Sequence, residues 1–138
     1  MNRKSHFHCV YSLTYHLVLV TKYRRPCLSK QVRERMKNIF TELLDKWDAK
    51  LIEFNGEEDH VHLLIELNPT IQPSKLVNNL KTVSSRYIRS EFKTQMKKYY
   101  WKPVLWSRAY CLLTTGGATI DIIRKYIENQ GGNSSPSK

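Results

Sequence analysis

Hydrophobic and polar residues alternate cleanly in Asp59-His60-Val61-His62-Leu63-Leu64-Ile65-Glu66-Leu67. A period of two is that of a strand, so Val61, Leu63, Ile65 and Leu67 share one face and His60, His62, Leu64 and Glu66 the other. A second alternating run, Tyr11 to Tyr23, predicts an earlier strand with Leu13, Tyr15, Leu17 and Leu19 opposite Ser12, Thr14, His16 and Val18. Pro26 forbids its continuation. Between the two, Val32, Met36, Ile39, Phe40, Leu43, Leu44 and Trp47 recur at three and four, predicting a long amphipathic helix capped by Ser29. Leu51 to Phe54 is a short strand, and Asn55-Gly56 a turn signal that makes it a hairpin with the histidine strand.

After Asn68-Pro69, a second helix is expected from Pro73 and Ser74, with Leu76, Leu80, Val83 and Tyr87 as its buried stripe. Residues 93–102 read as a basic, aromatic-rich connection whose rings either pack on the core or stack bases. Trp106 to Thr115 is expected as a fourth strand. Gly116-Gly117 then interrupts regularity, Thr119 can cap a last helix lined by Ile120, Ile123 and Ile127, and Gly131-Gly132 is expected to end it. The order βαββαβ plus a terminal helix is α+β and predicts a ferredoxin-like (RRM-like) antiparallel sheet, with two helices on one face and the other face open. The histidines point to the open face.

With 138 residues there is room for one domain, residues 1–130, with a flexible start (1–9) and a disordered tail (131–138). The apolar runs are too short to span a membrane and no signal peptide is visible, so the expected location is cytoplasmic. Three cysteines without CxxC spacing argue against a disulfide framework or structural zinc. A net charge of +11 favours a polyanionic partner, nucleic acid first. Lys22, Arg24 and Arg25, beside Tyr23, are candidates to clasp a phosphate and stack a base. Lys75, Lys81, Arg86 and Arg89 flank the second helix's stripe and suit either a phosphate backbone or solvent.

Two imidazoles at i and i+2 lie about 7 Å apart along a strand, near enough to converge on one ion while leaving coordination positions for a substrate oxygen. The bland alternative is a pair of half-buried histidines. His6-Phe7-His8 repeats the spacing but lies in a terminus without strand pattern. On the last helix Tyr126 and Gln130 are four apart and share a face. A phenolate beside a metal that polarises a phosphate can attack phosphorus, and an amide oxygen is a reasonable third ligand for a hard divalent cation.

These stretches together resemble the TnpA-type single-tyrosine HUH transposases, small enzymes that move single-strand insertion sequences. The likeness is carried by residues 11–26, by Asp59-His60-Val61-His62-Leu63-Leu64, by Leu105-Trp106-Ser107-Arg108-Ala109-Tyr110, and by Gly116-Gly117 through Tyr126-Ile127-Glu128-Asn129-Gln130. The resemblance implies that His60, His62 and Gln130 hold Mg²⁺ or Mn²⁺ and that Tyr126 is the nucleophile. It further implies cleavage of single-stranded DNA bearing subterminal hairpins, a 5′-phosphotyrosine, no need of ATP, and a homodimer with active sites built in trans across the Gly116-Gly117 connection. The same chemistry would serve a domesticated enzyme acting on repetitive palindromes. A non-catalytic single-strand-binding module of this fold is the alternative of another class.

Overall fold

The computed structural model describes residues 13–115 and 120–133. The flexible start, the His6/His8 pair, the Gly116-Gly117 hinge, the Thr119 cap and residues 134–138 of the expected tail lie outside them.

The chain forms strand β1 (Leu13–Val20), a 3-10 turn (Lys22–Arg24), helix α1 (Lys30–Lys46), strands β2 (Lys50–Gly56) and β3 (His60–Leu67), helix α2 (Pro73–Glu91), a short helix α3 (Lys93–Lys97), strand β4 (Cys111–Thr114) and helix α4 (Ile120–Asn133). The sheet order is β2-β3-β1-β4, every pair antiparallel. This is the ferredoxin-like arrangement expected from the element order.

Alternation along β3 decides which way the sheet faces. Val61, Leu63, Ile65 and Leu67 are fully buried, together with Leu17 and Leu19 of β1, against Val32, Met36, Ile39, Phe40 and Leu44 of α1 and Leu76, Val77, Leu80 and Ile88 of α2. Ser29 caps α1 by accepting from the Val32 amide. On the opposite face Val18 and Val20 form a second, smaller cluster with Cys111, Leu113, Tyr126 and Ile127. Helix α4 therefore covers part of the face that α1 and α2 leave open.

Four local expectations change. Asn55 and Gly56 do not turn: they pair with His62 and Val61, and the reversal falls at Glu57–Asp59. A Cβ on Gly56 would stand 3.0 Å from the His60 carbonyl oxygen, so glycine here serves close strand approach. The buried line of α2 runs through Val77, Ser84 and Ile88 rather than Val83 and Tyr87, and Tyr87 is exposed. Ser84 tolerates burial because its hydroxyl accepts from the Trp106 indole N–H at 3.0 Å and donates to the Lys81 carbonyl. The fourth strand is shorter than residues 106–115: Trp106 makes only an isolated bridge with Thr21, and regular pairing resumes at Cys111. Gly131 and Gly132 do not end α4, which continues to Asn133.

Cys27 is buried and Cys111 half-buried, and both are free thiols. Among the described residues no helix is long and apolar enough to cross a membrane.

Candidate active site

His60 and His62 stand half-buried on the face turned away from the main core, opposite Val20 and Val18 in the β1–β3 ladder. Cross-strand partners present side chains on the same face. Tyr126 packs on those two valines, so the turn of α4 that bears it sits over the histidine side of the sheet. Helix α4 also meets the Lys22–Arg24 turn at the end of β1. Gln130 follows one helical turn later, half-buried.

His60 is held from behind. Its Nδ1 donates to Asp59 Oδ1 at 2.9 Å, and Asp59 Oδ2 accepts from Arg24 Nε at 2.7 Å. Burial works to raise the Asp59 carboxyl, but the hydrogen bonds from Arg24 and His60 outweigh it and hold it below its ordinary value. A carboxylate on Nδ1 fixes the tautomer that leaves Nε2 bare as a lone-pair donor. The Asp59 carbonyl is fixed as well, accepting from both the amide and the hydroxyl of Thr21. The strap from Thr21 to Arg25 and the β2–β3 reversal therefore form one hydrogen-bonded unit beside His60.

His62 has a different neighbour. Its Nε2 lies 2.8 Å from His16 Nδ1, one ring donating and the other accepting, and the rings stack with centroids 5.0 Å apart. Burial first, and the nearby His16 second, lower the His62 pKa, which keeps the ring in the neutral form a metal requires. His16 was legible only as an outward position of β1, and Asp59 only as the residue before the histidine pair. Neither draws attention without the register.

The Tyr126 hydroxyl is buried without a hydrogen-bond partner among the described atoms. Burial, with a contribution from the Cys111 thiol, pushes its pKa up to about 12. In this placement the phenol is a stored group and holds its proton. Among the described residues no group of three or more His, Cys, Asp or Glu side chains is gathered for a metal.

The cationic candidates divide. Arg24 is held by Asp59. Lys81 donates to the carbonyls of Ser107 and Arg108 at 2.8 and 2.7 Å, bracing the segment where β4 leaves the ladder, and burial followed by the charge of Lys22 lowers its pKa. Lys75 and Arg86 are exposed on α2, with the Arg86 guanidinium over the Tyr87 ring. Lys22 and Arg25 both lie over the Tyr23 ring. Tyr23 and Arg24 occupy left-handed backbone conformations at φ 58° and 55°, each costing roughly 1–3 kcal/mol, a kind of strain found at functional turns.

The same fold is found in solved transposase structures. One solved structure, at TM-score 0.81 and 35% identity, covers 89% of this chain and 94% of its own; it is a Deinococcus radiodurans R1 protein described as a transposase. The family model for "Transposase IS200 like" matches residues 9–130, and the chain belongs to that family. Its relatives include the ISDra2 transposase TnpA of Deinococcus radiodurans, 35% identical over 121 residues, covering 88% of this chain and 86% of that protein. Another is the transposase for insertion sequence element IS200 of Salmonella typhimurium, 30% identical over 129 residues, with 94% and 84% covered. A REP-associated tyrosine transposase bound to a REP hairpin shares the fold at TM-score 0.51 and 10% identity, covering 88% of this chain and 67% of its own.

Proposed function

We propose that the chain cleaves and rejoins single-stranded DNA at hairpin-bearing element ends, through a 5′-phosphate carried on Tyr126 and with a divalent cation, Mg²⁺ or Mn²⁺, held by His60, His62 and Gln130. The observation that carries this is the packing of Tyr126 on Val18 and Val20, the cross-strand partners of the two histidines. A nucleophile and two nitrogen donors thus belong to one sheet face. The donor set fits: Asp59 leaves His60 Nε2 bare, the neutral His62 ring would ligate in exchange for its Nε2 contact with His16, and Gln130 would supply an amide oxygen.

When bound, the cation supplies Lewis-acid polarisation of the scissile phosphate. The chain's residues do the rest. Tyr126 gives up its phenolic proton and its oxygen bonds to phosphorus. The bond from phosphorus to the 3′ oxygen breaks, and that oxygen takes a proton to become the released 3′ hydroxyl. One phosphodiester replaces another, so rejoining by attack of a 3′ hydroxyl on the phosphotyrosine requires no ATP. In a homodimer with active sites built in trans, α4 of one copy would present Tyr126 to the histidine face of the other.

The test is a covalent adduct. Mixed with Mg²⁺ and end-labelled single strands from the DNA flanking its own gene, the wild-type chain should give a slow band on a denaturing gel. Tyr126→Phe or added chelator should abolish it. Binding of those strands without any linkage would overturn the catalytic assignment in favour of a binding module.

A further inference from the structure

The strap after β1 and the connection after α3 are far apart in sequence, yet they meet around a cavity of about 310 Å³. Its walls carry Lys22, Tyr23 and Arg25 from the first segment and Tyr99, Trp101 and Lys102 from the second. The volume is at the lower end for small-ligand pockets, which suits one nucleotide and not a duplex. Its chemistry alternates ring and cation: Lys22 Nζ and the Arg25 guanidinium lie 5.3 and 5.6 Å from the Tyr23 ring centroid, and Lys102 Nζ 5.4 Å from that of Trp101. Trp101 is 90% exposed. An indole bared to water on a chain of net charge +11 is a platform for a flat partner that also carries negative charge.

The floor is built in advance. Tyr100 is 7% exposed and donates to the Lys22 carbonyl at 2.7 Å, while the Lys22 amide donates to the Leu105 carbonyl at 2.8 Å. The left-handed conformation at Tyr23 keeps its ring beside Lys22 and Arg25 at the rim. The next residue, Arg24, binds Asp59, which in turn holds His60.

We infer that this cavity binds a single unpaired nucleotide of a DNA strand, its base stacked on Trp101 and its phosphates met by Lys22, Arg25 and Lys102. Paired bases hide their faces, so the pocket selects nucleotides outside a stem. Through the shared strap, the bound nucleotide sets the register of the strand relative to His60. The inference rests on the single-strand reading above and adds the residues that hold the strand.

Binding is measured by anisotropy in the Tyr126→Phe background, with fluorescein-labelled single strands from the DNA flanking the gene and copies carrying one abasic site at each position in turn. Trp101→Ala should weaken the intact strand roughly tenfold, as expected for loss of one stacked base, and Trp101→Phe should recover most of it. One abasic position should cost the Trp101-containing chain a similar factor and cost the Trp101→Ala chain nothing more. Unchanged affinity in Trp101→Ala, or undiminished sensitivity at every abasic position, would overturn the pocket. Tighter binding of an RNA copy that depends on Trp101 would overturn its assignment to DNA. Adduct formation is followed separately in chains that retain Tyr126. An adduct with no Trp101 dependence of binding removes the pocket alone, and Trp101-dependent binding with no adduct removes the cleavage chemistry alone.

Discussion

An imidazole can ligate through only the nitrogen its neighbours leave free, so the partners of His60 and His62 matter as much as the histidines. Asp59 Oδ1 meets the His60 ring at Nδ1, so its effect on a bound cation passes through that ring. Asp59→Ala should weaken Mn²⁺ binding about 10- to 100-fold, measured by calorimetry on the DNA-free protein, with Asp59→Asn closer to wild type because an amide oxygen still accepts from Nδ1. Unchanged Mn²⁺ affinity in Asp59→Ala would remove its positioning role. Tyr126 has a signature independent of activity. Its phenol holds its proton up to about pH 12, against about 10 in an unfolded chain. Between those values the folded state binds the proton more tightly, so its contribution is fully present below pH 10 and is lost as pH rises through the folded value. Absorbance at 295 nm should show Tyr126 and Tyr100, both raised by burial, as late-ionising phenols. Tyr126→Phe should remove one of the two.

At the scale of elements, β3 was legible because every other residue is aliphatic, and burial by a sheet face follows that parity directly. Helix α1 was legible for the corresponding reason at a period of 3.6, down to its Ser29 cap. In α2 the buried line runs one residue beyond the expected stripe, through Ser84 and Ile88 in place of Val83 and Tyr87. Ser84 can lie inward because Trp106, from a distant segment, supplies its hydrogen-bond partner. Ser84→Ala should leave the Trp106 N–H unpaired and cost about 1–3 kcal/mol in urea unfolding, with the single-strand affinity unchanged. A loss of affinity without loss of stability would place Ser84 in the binding surface instead. The shortened β4 has a related cause, since the Lys81 ammonium takes the backbone carbonyls of residues 107 and 108.

The whole molecule carries +11, and most of any attraction to DNA is this field. Its contacts differ in kind, and salt separates them. Loss of one phosphate contact to a single strand should reduce the slope of log K against log salt by about 0.7. Lys22→Ala and Arg25→Ala should each show that reduction, whereas Lys81→Ala, whose ammonium braces two carbonyls, should leave the slope intact and lower the melting temperature. A reduced slope for Lys81→Ala would instead put its ammonium on the strand.

Much of this architecture follows from local order along the chain. Periods of two and 3.6 determine which faces are buried, and they put His60 and His62 on one side of a strand and Tyr126 and Gln130 on one side of a helix. Periodicity cannot say which separated segments meet. The Arg24–Asp59–His60 chain depends on the strap after β1 closing over the β2–β3 reversal, and the His16–His62 contact on the register of β1 against β3. Only the folded chain brings Tyr23 to Trp101, or Tyr126 to the valines opposite the histidines. Those contacts bridge long stretches of sequence, and their geometry is decided by how the sheet pairs and what packs upon it.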